Sequence, residues 1–159
     1  MIAPLVTFDQ IDVGEANRCL VAWGHKMGPM MRGNTAQDVH YALFEEGQPV
    51  AVAMASGLVR ECVGGDGAEH LNRENTVELA RLCAARPHLC RVALRLWREF
   101  VFPRLGRRYA MSYQDADLHN GSTYRFDGWK RIAFARGGGT DARSGRTGRD
   151  KWVWLWECA

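Results

Sequence analysis

The sequence predicts one α/β domain over residues 1–159, a mixed sheet with helices on both faces, and three observations point there. With 159 residues, 47% of them hydrophobic and 25% charged, the chain can build one core of ordinary size and has no length for a second. Leu89, Val92, Ala93, Leu96, Trp97, Phe100 and Val101 recur at helical spacing while Arg91, Arg95, Arg98 and Glu99 fall opposite, which makes a long amphipathic helix. Strand-like runs alternate with helical ones along the chain, the order expected when helices cover both faces of a sheet.

Leu5 to Phe8 reads as an opening strand, and Asp12 to His25 as a helix because Ala16, Cys19, Leu20 and Trp23 share one face. Asp38 to Phe44 and Pro49 to Ala55 are apolar runs joined by Glu45-Glu46-Gly47-Gln48, an antiparallel hairpin. Gly64-Gly65-Asp66-Gly67 resists regular structure, so Glu61 to Asn75 reads as a surface excursion. Thr76 to Ala84 fits a strand or a helix by pattern and counts as a strand in the overall order. Pro87 suits the first turn of the long helix, where its missing N–H has no intrahelical partner, and Pro103 with Gly106 ends that helix. Arg108 to Tyr113 follows as a strand, Asp117 to Phe126 as a short helix stopped at Gly128, and Lys130 to Ala135 as another strand. Lys151 to Glu157 alternates Trp152, Trp154 and Trp156 with Val153 and Leu155, and two apolar faces require cover on both.

These proportions exclude disordered, collagen-like and disulfide-miniprotein chains. No apolar run reaches bilayer length, and Met1-Ile2-Ala3-Pro4 lacks the basic-then-apolar order of a signal peptide, so the expected place is the cell interior, cytoplasmic and away from membranes. Cys19, Cys62, Cys83, Cys90 and Cys158 contain no C-x-x-C pair and read as reduced thiols. The net charge is only +3, but Arg136, Arg143, Arg146, Arg149 and Lys151 cluster in a glycine-rich stretch, and Arg104, Arg107 and Arg108 form a second basic cluster that closes the long helix. Either cluster could meet phosphate or simply face solvent.

Asp115, His119 and Tyr124 are the leading candidates for chemistry. His119 near a carboxylate could act as a general base or a metal ligand, both of which use neutral imidazole; Asp115 and His119 as turn and cap residues is the competing reading. A helix from Asp117 would set His119 in its first turn and Tyr124 on a different face. Glu78 could deprotonate an amine or orient Arg81, or the two could be a buried structural pair. Residues three apart point to opposite faces of a regular strand, so a common pocket for Glu78 and Arg81 requires a bulge. The tryptophan strand could stack a flipped base or pack one face of the core. Ser112, Ser122 and Cys83 lack a His and an acid at hydrolase spacing, and His25, His40, His70 and His88 are too scattered for a zinc site.

This order of elements resembles the GNAT superfamily of N-acetyltransferases, and Val77 to Trp129 carries the likeness. The resemblance implies a mainly antiparallel sheet with splayed central strands, acyl-coenzyme A in the gap, and the start of the following helix on its pyrophosphate. It also implies that Leu82, Cys83, Ala84, Arg86 and Arg91 bind the cofactor, acetyl-coenzyme A or a related acyl donor. Where the superfamily has Arg or Gln, two variable residues, Gly, one variable residue and Gly or Ala, this chain reads Arg86-Pro87-His88-Leu89-Cys90-Arg91 and keeps only the first position. Tyr124-Arg125-Phe126-Asp127-Gly128-Trp129 is similar to the superfamily's late helix, whose tyrosine protonates the departing thiolate; a core tyrosine is the other reading.

A narrower likeness covers Glu78-Leu79-Ala80-Arg81-Leu82 and the run Asp115-x-x-x-His119-x-Gly121-x-x-Tyr124, which resemble the Mom group of bacteriophage proteins that modify adenine in DNA. It implies acyl transfer to a nucleobase amine of DNA, with Arg81 and Ser112 on the substrate side and Arg136, Arg143, Arg146 and Arg149 on backbone phosphates. An ordinary N-acetyltransferase for small molecules or proteins, and a non-catalytic DNA-binding module on the same fold, are the two alternatives. A homodimer stays open.

Overall fold

Alternating β-branched and aromatic runs pair into a sheet whose register sorts side chains onto two faces. The computed structural model describes residues 5–31, 38–139, 142 and 147–159. Its strands are β1 (Val6–Ile11), β2 (Val39–Glu45), β3 (Gln48–Gly57), β4 (Thr76–Ala84), β5 (Tyr109–Asp115), β6 (Lys130–Ala135) and β7 (Lys151–Glu157). The helices are α1 (Val13–Ala22), α2 (Leu89–Leu96) and α3 (Ser122–Asp127). The strands lie in the order β1-β2-β3-β4-β5-β7-β6, and every neighbouring pair is antiparallel except β4 and β5. The mixed, mainly antiparallel α/β sheet expected from the sequence is the one observed.

Helix α1 covers one face, where Ala16, Cys19 and Leu20 meet Val52, Met54 and Cys83. On the other face, Leu94, Trp97 and Val101 meet Ala53, Ala55, Val77 and Leu79, and Tyr124 of α3 joins them. Strand β7 inserts between β5 and β6, so its alternating tryptophans and aliphatics are enclosed by neighbours and both faces find cover. Among the described residues no helix is long and apolar enough to cross a membrane.

The structure corrects several boundaries. The long helix does not run unbroken: α2 ends at Leu96, a π-turn occupies Trp97–Val101 and a 3₁₀ turn Phe102–Leu105. Its buried stripe includes Leu94 in place of Val92, which is 43% exposed, and the wider turn leaves Phe100 55% exposed. Pro87 stands before the helix, and His88 at its N-cap takes a left-handed φ of 72°. The excursion after β3 is only partly a surface feature, since Leu58, Val63, Ala68 and Leu71 pack on Tyr109, Met111 and Val153. The short helix begins at Ser122, five residues later than the spacing predicts, because Gly121 in the left-handed region breaks the chain direction just before it. His119 therefore lies in the loop before α3 and in no helical turn.

Candidate active site

Strands β4 and β5 pair only over Thr76↔Tyr109, Val77↔Ala110 and Glu78↔Met111, then part. Beyond that point the β5-side edge of β4 has no strand neighbour, and a cavity of about 1140 Å³ opens between Leu79–Leu82 and Ser112–Asp115. Asp115, His119 and Tyr124 all line it, as do Arg81, Leu82 and Ser112. A bulge shapes its β4 wall: Met54 pairs with Arg81 but Ala55 pairs with Leu79, which leaves Ala80 as the extra residue. The bulge resets the alternation, so Glu78 and Arg81 turn to the same face, the one covered by α1.

The α3 side of the cleft is uncharged. Tyr124 is buried, its ring stacked on Trp154 at 5.7 Å and edge-on to Trp129 at 5.6 Å. Its hydroxyl lies 2.8 Å from Ser112 Oγ, which also donates to Leu79 O at 2.9 Å, a link between the parted strands. Burial pushes the Tyr124 phenol up to about 12, with the Ser112 hydrogen bond opposing the rise, so the phenol is protonated at neutral pH. Gln114 holds the loop between β5 and α3: its amide nitrogen donates to the carbonyls of Asp115 and His119, and its oxygen accepts from Trp154 Nε1 at 2.9 Å. Gly121 fits only as glycine, because a Cβ there would stand 2.5 Å from Trp154 Cζ2 and 2.6 Å from Gln114 Oε1, at a φ of +75°.

The α1 side is charged. Arg81, 6% exposed, donates to Gly28 O in the loop after α1 and to Ala80 O. His25 in the same loop faces the cavity; burial first, then Arg81 and His119, lower its pKa to about 4, so its ring is neutral at pH 7. Lys26 and Lys151 also line the cavity, the latter 5.4 Å over the Tyr113 ring. Asp115 Oδ1 accepts from the backbone N–H groups of Asp117 and Leu118, and Oδ2 pairs with Arg149 Nε at 2.7 Å. With three donors on one carboxylate, Asp115 organises the turn and anchors Arg149. Beneath that pair the stems of the 136–150 loop cross: a Cβ on Gly137 would stand 2.6 Å from the carbonyl of Gly148. Asp150 fastens the crossing, accepting from Gly137 N at 2.8 Å through its side chain and from Ala116 N at 3.0 Å through its carbonyl.

No family model matches this sequence, and no curated protein matches it either. Solved structures do match. The ribosomal-protein-S18-alanine N-acetyltransferase of Escherichia coli superposes with a TM-score of 0.62 at 12% identity, over 96% of this chain and 93% of that one. A probable acetyltransferase of Staphylococcus epidermidis gives 0.65 at 10% identity over 97% and 99%, and a putative phosphinothricin N-acetyltransferase 0.65 at 15% over 97% and 99%. This is the GNAT acetyltransferase fold. The parting of β4 and β5 is thus the feature that the sequence likeness implied, found here from strand register alone.

Within the GNAT fold the remaining candidates scatter. Of the five residues assigned to the cofactor, Leu82 alone lines the cavity. Cys83 packs under α1, where burial raises its pKa, and Ala84 packs beside Ala93. Arg86 reaches out to Glu45, and Arg91 lies 4.8 Å over the exposed Phe126 ring. Arg136 is exposed on the loop stem, and Arg143 and Arg146 lie outside the described residues. Trp154 and its neighbours chiefly pack the core. Among the described residues no three His, Cys, Asp or Glu side chains are grouped to hold a metal ion. Sequence reasoning missed His25, Lys26 and Gln114 as lining residues; none sits in a local motif, and the chain fold alone brings them to the cleft.

Proposed function

We propose that this chain transfers an acyl group from acyl-coenzyme A to an amine. The observation that supports it most is the cleft itself, opened by parting strands and floored by a fixed, protonated Tyr124. The residues present fit the cofactor. An open strand edge offers alternating N–H and C=O groups to an extended, amide-bearing arm, and the β4 edge beyond Glu78 is such a surface. The start of α2 adds N–H groups that lack intrahelical partners and favour phosphate, while Glu45 and Phe126 hold the Arg86 and Arg91 side chains outward. When bound, acyl-coenzyme A supplies a thioester whose C–S bond breaks as the N–C bond forms. Two of the solved structures that share the fold carry acetyl-coenzyme A or coenzyme A.

Tyr124 is suited to give a proton to the departing sulfur, since a buried phenol stays neutral until an anion forms beside it. His25, whose pKa is lowered to about 4, adds no charge to the cleft and is a weak base, so the proton that the amine loses goes to solvent. Glu78 turns to the α1 face, is 4% exposed and is not among the residues that line the cavity.

One observation favours an acceptor more specific than a free amine. Among the described residues lining the cavity, Lys26, Arg81, Arg149 and Lys151 are cationic and Asp115 is the single carboxylate. That lining repels an ammonium group and suits a neutral amine on a phosphate-bearing molecule. A nucleobase amine of DNA, turned out of the stack, meets that description, in keeping with the likeness to the Mom group. The test is to express the chain in bacteria, digest the DNA and weigh the nucleosides, while purified protein is assayed for thiol release from acetyl-coenzyme A with spermidine, amino acids and nucleotides. A new nucleoside mass supports the DNA reading. Thiol release with a free amine and unmodified DNA supports an ordinary N-acetyltransferase. DNA binding that is lost with salt, without turnover of any acceptor, sinks both in favour of a silent binding module.

A further inference from the structure

One proton fixes the direction of two hydrogen bonds at the floor of the cleft. Ser112 Oγ, 2% exposed, lies 2.9 Å from Leu79 O and 2.8 Å from Tyr124 Oη. A carbonyl only accepts, and a serine hydroxyl carries a single proton. With that proton on Leu79 O, the Tyr124 hydroxyl must donate to Ser112. The resting phenol proton is therefore aimed at Ser112 and has to swing away before it can be given to anything else.

Giving it up leaves a phenolate between Trp154 and Trp129, and a buried anion without a donor is costly. Ser112 already touches the phenol oxygen and owns a movable proton. We propose that Ser112 is a two-position switch, donating to Leu79 O while Tyr124 is neutral and rotating its O–H onto Tyr124 Oη as the phenol loses its proton. The inference rests on the acyl-transfer reading above. In that reaction the N–C bond forms, the C–S electron pair goes to sulfur, and sulfur takes the Tyr124 proton. The proton lost by the amine passes to solvent, and solvent later restores the phenol. Ser112 keeps its own proton throughout, so it is a positioning residue that is neither consumed nor ionised. Leu79 lines the cavity, where an incoming N–H or water can take over its oxygen when Ser112 turns away.

The test replaces the four tyrosines with 3-fluorotyrosine, whose phenol ionises at lower pH, and follows each by fluorine NMR in the ligand-free protein. The Tyr124 signal is assigned by its absence in Tyr124→Phe. Ser112→Ala is expected to raise the Tyr124 midpoint by about one pH unit, the worth of a hydrogen bond to a charged group, whereas Ser112→Thr keeps it near the starting value. In turnover, Ser112→Ala is expected to lower kcat about tenfold with the KM for acetyl-coenzyme A unchanged. An unmoved midpoint in folded Ser112→Ala overturns the switch whatever the activity. Should that variant fail to fold, the unsubstituted protein decides: a Tyr124 hydroxyl proton in close contact with the Ser112 β-protons upholds the switch, and its absence overturns it. A moved midpoint in a chain that acylates no amine keeps the hydrogen-bond pair and sinks the acyl-transfer reading. Turnover with an unmoved midpoint does the reverse.

Discussion

Strand β5 serves both sides of the cleft with alternate residues. Toward α3 it presents Ser112 and Gln114, sealed from solvent and tied by hydrogen bonds to Leu79, Tyr124 and Trp154. Toward α1 it presents Tyr113 and Asp115, which meet Lys151 and Arg149. The first side is buried, neutral and hydrogen-bonded, which favours holding one proton in one place. The second is more exposed and cationic, which favours attracting and orienting a charged molecule. A period of two along a single strand thus separates proton handling from recognition by the thickness of the sheet.

The largest effect that would break this division is expected from Tyr124→Phe, which removes the phenol proton and leaves the stacking on Trp154. The kcat should fall by about 100-fold or more with little change in acceptor KM, read from thiol-release kinetics. Gly121→Ala should follow, costing about 3 kcal/mol in urea unfolding, because it combines a left-handed φ with overlap on Trp154 and Gln114. On the charged side, Lys151→Glu should raise the KM for a phosphate-bearing acceptor about tenfold, leave kcat nearly unchanged, and lose much of that effect in high salt. An equal effect on a neutral acceptor would erase the distinction between the two sides.

The smallest effect concerns acid. His25 binds its proton near pH 4 when folded and near 6.5 when unfolded, so the unfolded chain holds more protons between those values. Stability from this site is complete above about 6.5 and declines as pH falls toward 4. His25→Gln should flatten that part of a thermal-melting profile while leaving the neutral-pH melting temperature nearly unmoved.

Much of this was legible in the residues. The likeness to the GNAT superfamily implies the cleft, and a common face for Glu78 and Arg81 requires the bulge that register shows at Ala80. Asp115, His119 and Tyr124 border one cavity even though the helix expected from Asp117 begins only at Ser122, which leaves His119 and Tyr124 to reach the cavity from different elements. What escaped depends on distant partners. The π-turn at Trp97–Val101 leaves no mark in a hydrophobic stripe that 3.6-residue and wider turns satisfy almost equally well. Gln114 looks like any strand glutamine until Trp154, 40 residues on, supplies its donor. Arg86 and Arg91 sit at the start of α2, yet Glu45 and Phe126 draw their side chains outward.

The crossing of Gly137 over Gly148 works like a clasp on a purse. Because those two backbones touch with no room for a side chain, a larger residue at either position would have to push them apart and would shift Arg149, which follows Gly148 and holds Asp115 at the cleft.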